Sequence, residues 1–334
     1  MIGNAALQPS ASMHAAPLRD YAMTQLPFPP NLTIELQHIE QLVLERTRSR
    51  AAVISVAGSR LLLPGAVRLR AALVLLAAQI GTYQRERVAH AAAAIELIYA
   101  ATQTHDDLVD AGERRRGVPR TGEWNHGVAL MVGDYLFALA AGEMAQSPDP
   151  RVISFYSQAV MRITEATLAP PPLVRPFEDA RTHHLEQLGG TVAALSAAAC
   201  KAGGACGGAS PEQIETLGCF GYALALALHL GDETRAFATD AAPDASLRVG
   251  VVTLPLLFAA THGDGERLVA ALDSSDPAEQ AWLSAEVRRH GLAPTRAEVA
   301  RLIAQAHVAL SSLPPGEARE ALARVADYAV TRLG

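Results

Sequence analysis

The chain has 334 residues, half of them hydrophobic, only 5% aromatic, and a formal net charge of −6. That length permits a large buried core, and the dominance of alanine and leucine favours helix over sheet. The acidic balance and the lack of any long basic run argue against a nucleic-acid or anionic-membrane surface. Cys200, Cys206 and Cys219 fit neither a disulfide framework nor a zinc spacing, which points to a reducing cytoplasm. Lysine is nearly absent: Lys201 is the single one among 28 basic side chains.

Residues 1–30 read as a disordered leader of small and polar residues ending in Phe28-Pro29-Pro30. No basic flank precedes an apolar block, so no secretory signal is expected. No apolar run reaches the roughly 18 residues of a spanning helix, because Asp134 interrupts the best stretch, Val128 to Ala141. The expectation is a cytoplasmic protein with no transmembrane segment.

From Asn31 the apolar residues Leu36, Ile39, Leu42 and Val43 recur at helical spacing, with Asn31 or Thr33 as the expected cap. Further helices are predicted near 66–81, 86–108, 124–145, 150–168, 178–203, 210–233, 247–262, 276–290, 294–311 and 315–332. Proline and glycine punctuate them at Pro64-Gly65, Pro170-Pro171-Pro172, Gly207-Gly208 and Pro314-Pro315. No stretch of strict alternation argues for a sheet. The reading is all-α: one helical bundle over 31–334 with several buried, Ala/Leu-rich helices.

The segment Glu96 to Gly117 reads ELIYAATQTHDDLVDAGERRRG. Asp106 and Asp110 are four apart and share a helix face, with Asp107 beside them. Three carboxylates within one turn repel one another unless a cation sits among them. Mg²⁺ takes hard oxygen ligands, usually one or two carboxylates together with substrate phosphates. Arg114, Arg115 and Arg116 follow, and guanidinium groups make forked contacts to phosphate oxygens. An acidic cluster followed by a basic one is what a metal–diphosphate complex requires.

HDDLVDAGERRRG resembles the first aspartate-rich motif of the trans-prenyl diphosphate synthases, DDxxD followed by RRG. In the same order PGAVRLRAALVLLAA resembles their GGKRxRP helix, LMVGDYLFALA a helix with the Gly133-Asp134 pair, and FGYALALALHLGDETRAF the second motif, FQxxDDxxD. GVVTLP resembles GKxTLP, and the likeness runs from about residue 32 to the end. It implies an all-α fold, a homodimer or a heterodimer with a homologous synthase, and a cavity in which Mg²⁺ joins both aspartate motifs to an allylic prenyl diphosphate. Carried over position by position, it makes Asp106, Asp107 and Asp110 metal ligands, with Asp232 and Glu233 from the second motif. Arg115 faces the allylic diphosphate. Arg116 and Arg70 face the co-substrate, isopentenyl diphosphate.

Other positions depart from the pattern. Val67 and Val251 stand where the resemblance puts lysines, and Gly190-Thr191 where it puts Lys-Thr. Tyr99 replaces the co-substrate histidine, His229 a glutamine, and Ala236 the last aspartate, with Arg235 beside it. Charge-assisted hydrogen bonds contribute about 1.5–3 kcal/mol each. Losing two of them weakens co-substrate binding by about two to four powers of ten. Three functions follow: chain elongation; ionisation without elongation, as in a terpene synthase; or a non-catalytic subunit of an active synthase. Ala101 and Thr102, small residues just before the first motif, favour long products if the protein elongates. His105 is expected to support the motif, His229 to be a satisfied helix histidine, and His183-His184 near Glu186 to lack a third metal ligand. Trp124 is expected to pack, and Tyr99 to bind substrate or merely fill space.

Overall fold

The computed structural model describes residues 28–50, 54, 69–113, 126–169, 176–238, 252–272, 274 and 276–331, with backbone only for 106–113, 126, 178 and 238. Among them the ordered elements are helical, and no strand occurs. The helices are α1 (Pro30–Thr47), α2 (Leu69–Ala78), α3 (Arg85–Glu113), α4 (His126–Gln146) and α5 (Arg151–Leu168). α6 (Phe177–Leu188) runs through a π-turn, Gly189–Ala193, into α7 (Ala194–Cys206). Then come α8 (Pro211–Ala238), α9 (Leu254–His262), α10 (Gly265–Leu272), α11 (Pro277–His290), α12 (Leu292–Ser311) and α13 (Glu317–Thr331). Residues 1–27 of the expected leader lie outside the described residues.

Several boundaries differ from the sequence reading. α1 begins at Pro30, with neither Asn31 nor Thr33 capping it, because a proline's fixed φ suits the first helical position. α3 carries its helical backbone through the aspartate run to Glu113. The expected helix at 178–203 contains the π-turn at Gly189-Gly190, where two glycines weaken the α-helical hold. α10 was not anticipated. Gly208, with φ of 74°, ends α7 at the expected Gly207-Gly208 break, in the left-handed region that glycine enters without steric cost.

Burial explains the order of packing. Every residue of α2 is buried. Along α3, Ala91 to Ala94, Ile95, Leu97 and Ile98 are buried too. Alanine keeps those surfaces flat, so α2 packs against α3 on one side and α7 on another. At Gly203 a Cβ would stand 2.2 Å from the Val74 carbonyl oxygen, so that crossing depends on the missing side chain. α8 lies between α7 and α12 and contributes Phe220, Leu224, Leu228 and Leu230 to the core. Each fully buried leucine or phenylalanine contributes about 1.5–3 kcal/mol. The buried Glu143 of α4 accepts from Arg46 of α1 and lies 2.7 Å from His90 Nδ1 of α3, tying three helices together.

Two described helices correct the expectation that no apolar run reaches spanning length. Gly127–Gln146 and Pro211–Phe237 are both long and apolar enough to cross a membrane by length and composition; Asp134 alone does not offset its apolar neighbours. The second is a core helix, 78% buried, whereas the first is 33% buried.

Candidate active site

The first motif lies on the last three turns of α3. Helical backbone from Arg85 to Glu113 places Asp106 and Asp110 on one face. Their side chains, that of Asp107, and all of Arg114, Arg115, Arg116 and Trp124 lie outside the described residues, as do Val67 and Val251.

The approach to the motif is described. His105 packs over Gly133 of α4, where a Cβ would fall 2.1 Å from the ring Nε2. The same Nε2 lies 3.4 Å from the Asp134 carboxylate and 3.4 Å from the Leu130 carbonyl oxygen. The ring also leans on Phe137, with centroids 5.6 Å apart. The Gly-Asp pair of α4 therefore makes a seat for the histidine that precedes the acidic run. Bulk at position 133 would push that ring, and the turn after it, out of place.

Arg70 and Tyr99 are brought together. Arg70, in the first turn of α2, is 6% exposed, and its guanidinium carbon lies 3.5 Å from the centre of the Tyr99 ring. One turn earlier on α3, buried Glu96 accepts the backbone N–H of Ala71 at 2.8 Å. A carboxylate at a helix start is favoured by the unpaired N–H groups and dipole there. Glu96 and Tyr99 thus fix the start of α2 from one face of α3.

The second motif is arranged differently from the expectation. Glu233, read as a metal ligand, uses both its oxygens inside the fold. Oε1 lies 3.2 Å from His184 Nε2 of α6 and 3.5 Å from His229 Nε2 one turn back on α8. Oε2 accepts the Leu254 N–H at 2.9 Å, at the start of α9. Burial alone would raise the Glu233 pKa, but the two imidazoles outweigh it and hold the carboxyl at about 2. His229 is the satisfied histidine the sequence suggested. His184 pairs with Glu233, a contact that spacing along α6 does not reveal. Asp232 accepts from Arg235 Nη2 at 3.2 Å, so the arginine beside the missing aspartate neutralises the one before it. No group of three or more potential metal ligands occurs among the described residues, and no described contact joins the acidic end of α3 to Asp232.

At the position of the missing Lys-Thr pair, Gly190 faces α5. A Cβ there would meet the Ala166 Cβ at 2.4 Å and the Arg162 carbonyl oxygen at 3.1 Å. α5 fills the space a lysine stem would need, so the lost lysine is built into the packing. Thr191 bonds the Gln187 carbonyl oxygen of its own helix at 3.0 Å. Cys200 and Cys206 are buried and Cys219 is exposed, none of them in a disulfide; burial pushes the Cys200 thiol pKa up.

A long helix carrying DDxxD beside a Gly-Asp helix, inside an all-α bundle, defines an isoprenoid-synthase type of fold. The chain belongs to the polyprenyl synthetase family, whose model matches residues 52–286, and is a transferase of the prenyl diphosphate synthase type. Component 2 of the heptaprenyl diphosphate synthase of Geobacillus stearothermophilus is 29% identical over 89% of this chain and 95% of its own. The crystal structure of a decaprenyl diphosphate synthase from Rhodobacter capsulatus superposes with a TM-score of 0.80 at 28% identity, covering 91% of this chain and 98% of that one. Geranylgeranyl pyrophosphate synthase from Corynebacterium glutamicum, solved with calcium and isoprenyl diphosphate, gives 0.79 at 26% identity, over 92% and 100% of the chains.

Proposed function

We propose that the protein condenses an allylic prenyl diphosphate with isopentenyl diphosphate in a Mg²⁺-dependent prenyl transfer. The observation that carries this reading is the acidic run on α3: three carboxylates at i, i+1 and i+4 of an unbroken helix, directly after a histidine that α4 holds in place. That donor set fits a hard divalent cation that shares its coordination with phosphate oxygens. Asp106, Asp107 and Asp110 hold the metal from one side and Asp232 from the other. Glu233 drops out of the set, because its oxygens are already occupied within the fold. The neighbour that contains both calcium and isoprenyl diphosphate supports a paired cation–diphosphate site.

When bound, Mg²⁺ neutralises the charge that builds on the diphosphate as the allylic C–O bond breaks. Arg115 binds the allylic diphosphate, while Arg116 and Arg70 bind that of the co-substrate. The double bond of isopentenyl diphosphate then attacks the allylic cation, and the released diphosphate takes the proton lost. Long-chain relatives and the small residues Ala101 and Thr102 before the motif support long products.

Leu130 and Met131 of α4 and Ile153, Met161 and Leu168 of α5 are large apolar side chains left exposed. Exposed apolar side chains of this size support an interaction face on these two helices. A second copy of this chain covers it.

The test is incubation with Mg²⁺ and labelled geranyl or farnesyl diphosphate, with and without isopentenyl diphosphate. Longer diphosphates formed only with the co-substrate support the reading. Hydrocarbon or alcohol plus free diphosphate without it would point to ionisation alone. No turnover, with activity restored to a partner synthase, would make the chain a non-catalytic subunit.

A further inference from the structure

Arg70 presents an unusual balance. It is almost fully buried, and its Nε has no hydrogen-bond partner among the described residues. A buried cation with an idle donor is costly unless an anion completes it. Its described contact is the Tyr99 ring, 3.5 Å from the guanidinium carbon. A face-on contact of this kind engages the π face of the cation and none of its N–H groups. A carboxylate partner would instead occupy two of the five donors.

We propose that Tyr99 is a positioning residue for Arg70: its ring fixes the guanidinium at the start of α2, so that Nε, which has no hydrogen-bond partner among the described residues, is held ready for the diphosphate of isopentenyl diphosphate. This rests on the reading of Arg70 as a co-substrate ligand and deepens it. The tyrosine is then a different solution to anion binding at that position, acting through the arginine that lies over its ring. Local geometry supports the role. Tyr99 lies one turn beyond Glu96, which holds the Ala71 N–H. The backbone and the side chain at the start of α2 are therefore both set from the same face of α3.

The experiment compares wild-type protein with Tyr99→Leu, Tyr99→Phe and Arg70→Gln. With isopentenyl diphosphate varied at saturating allylic diphosphate, Tyr99→Leu raises its KM about tenfold, the size expected of a desolvated cation–π contact. It changes kcat and the allylic KM little. Tyr99→Phe, which keeps the ring, recovers most of the co-substrate affinity. Calorimetric titration with inorganic pyrophosphate in EDTA reads the same anion site without turnover and gives the same order. Equal pyrophosphate affinity in wild type and Tyr99→Leu overturns the proposal. So does a Tyr99→Leu protein whose kcat and both KM values change together, as a packing defect would produce. A wild-type protein that binds pyrophosphate in the predicted order but forms no longer diphosphate would sink the elongation reading while leaving the Arg70–Tyr99 pair standing.

Discussion

Replacing Glu233 by glutamine separates two accounts of the second motif. Glutamine keeps the shape but offers one carbonyl oxygen where the carboxylate offers two. Either the Leu254 N–H at 2.9 Å or the imidazoles of His184 and His229 lose their acceptor. Hydrogen bonds to charged groups contribute about 1.5–3 kcal/mol, so the variant is less stable by about 2 kcal/mol. At ~2–4 °C per kcal/mol for large chains, its Tm falls by roughly 5 °C. The deficit also has a pH signature. The native carboxyl titrates at about 2, whereas an unfolded glutamate titrates at about 4.3. A depressed native pKa gives stability that is fully present above the unfolded value and is lost as pH falls towards the native one. The gap between wild type and variant therefore narrows as pH falls through the range between those two values. Scanning calorimetry across that range, with Mg²⁺ titrations of activity at neutral pH, makes the check. An unchanged Tm with a Mg²⁺ requirement raised tenfold or more would make Glu233 a metal ligand and refute the reasoning.

Three other outcomes follow from the same contacts. Gly133→Ala puts a methyl group 2.1 Å from His105 Nε2; overpacking costs about 1–3 kcal/mol, and kcat should fall as the motif turn shifts. Gly190→Lys should bring no gain in activity and a lower Tm, because α5 occupies the space beside it; a rise in kcat would show that the pocket still accepts the lysine. Met131→Lys with Met161→Lys, two exposed positions on α4 and α5, should shift the protein from dimer to monomer in light scattering; an unchanged mass would place the interface elsewhere.

The helical class and the two motif helices were legible because their signals are local. Leucine and alanine periodicity marks α1, α2 and α3, and paired glycines mark the end of α7. The contacts that the sequence did not reveal are those with partners distant in sequence. Glu233 looked like a metal ligand because it sits in an aspartate-motif position, yet His184 lies 49 residues away in sequence and takes its Oε1. Tyr99 reads in the sequence as a missing histidine, and spacing does not reveal that Arg70, 29 positions earlier, lies over its ring. The erosion at Gly190 reads as decay in the sequence and as close packing in three dimensions, where Ala166 fills the gap. Asp134 was credited with breaking an apolar helix, although even with Glu143 as a second acidic residue the 20-residue helix keeps a high mean hydropathy.

The central claim is that the aspartates of α3 clamp a divalent cation onto a diphosphate. The most direct measurement is the affinity for a non-ionising allylic diphosphate analogue, by calorimetry, with Mg²⁺ and with EDTA, in wild type and in Asp106→Asn with Asp110→Asn. The account predicts tight binding that needs Mg²⁺ in wild type and falls at least tenfold in the double variant, as expected when charged ligands of a cation are removed. Equal binding with and without the metal, or by both proteins, would contradict it.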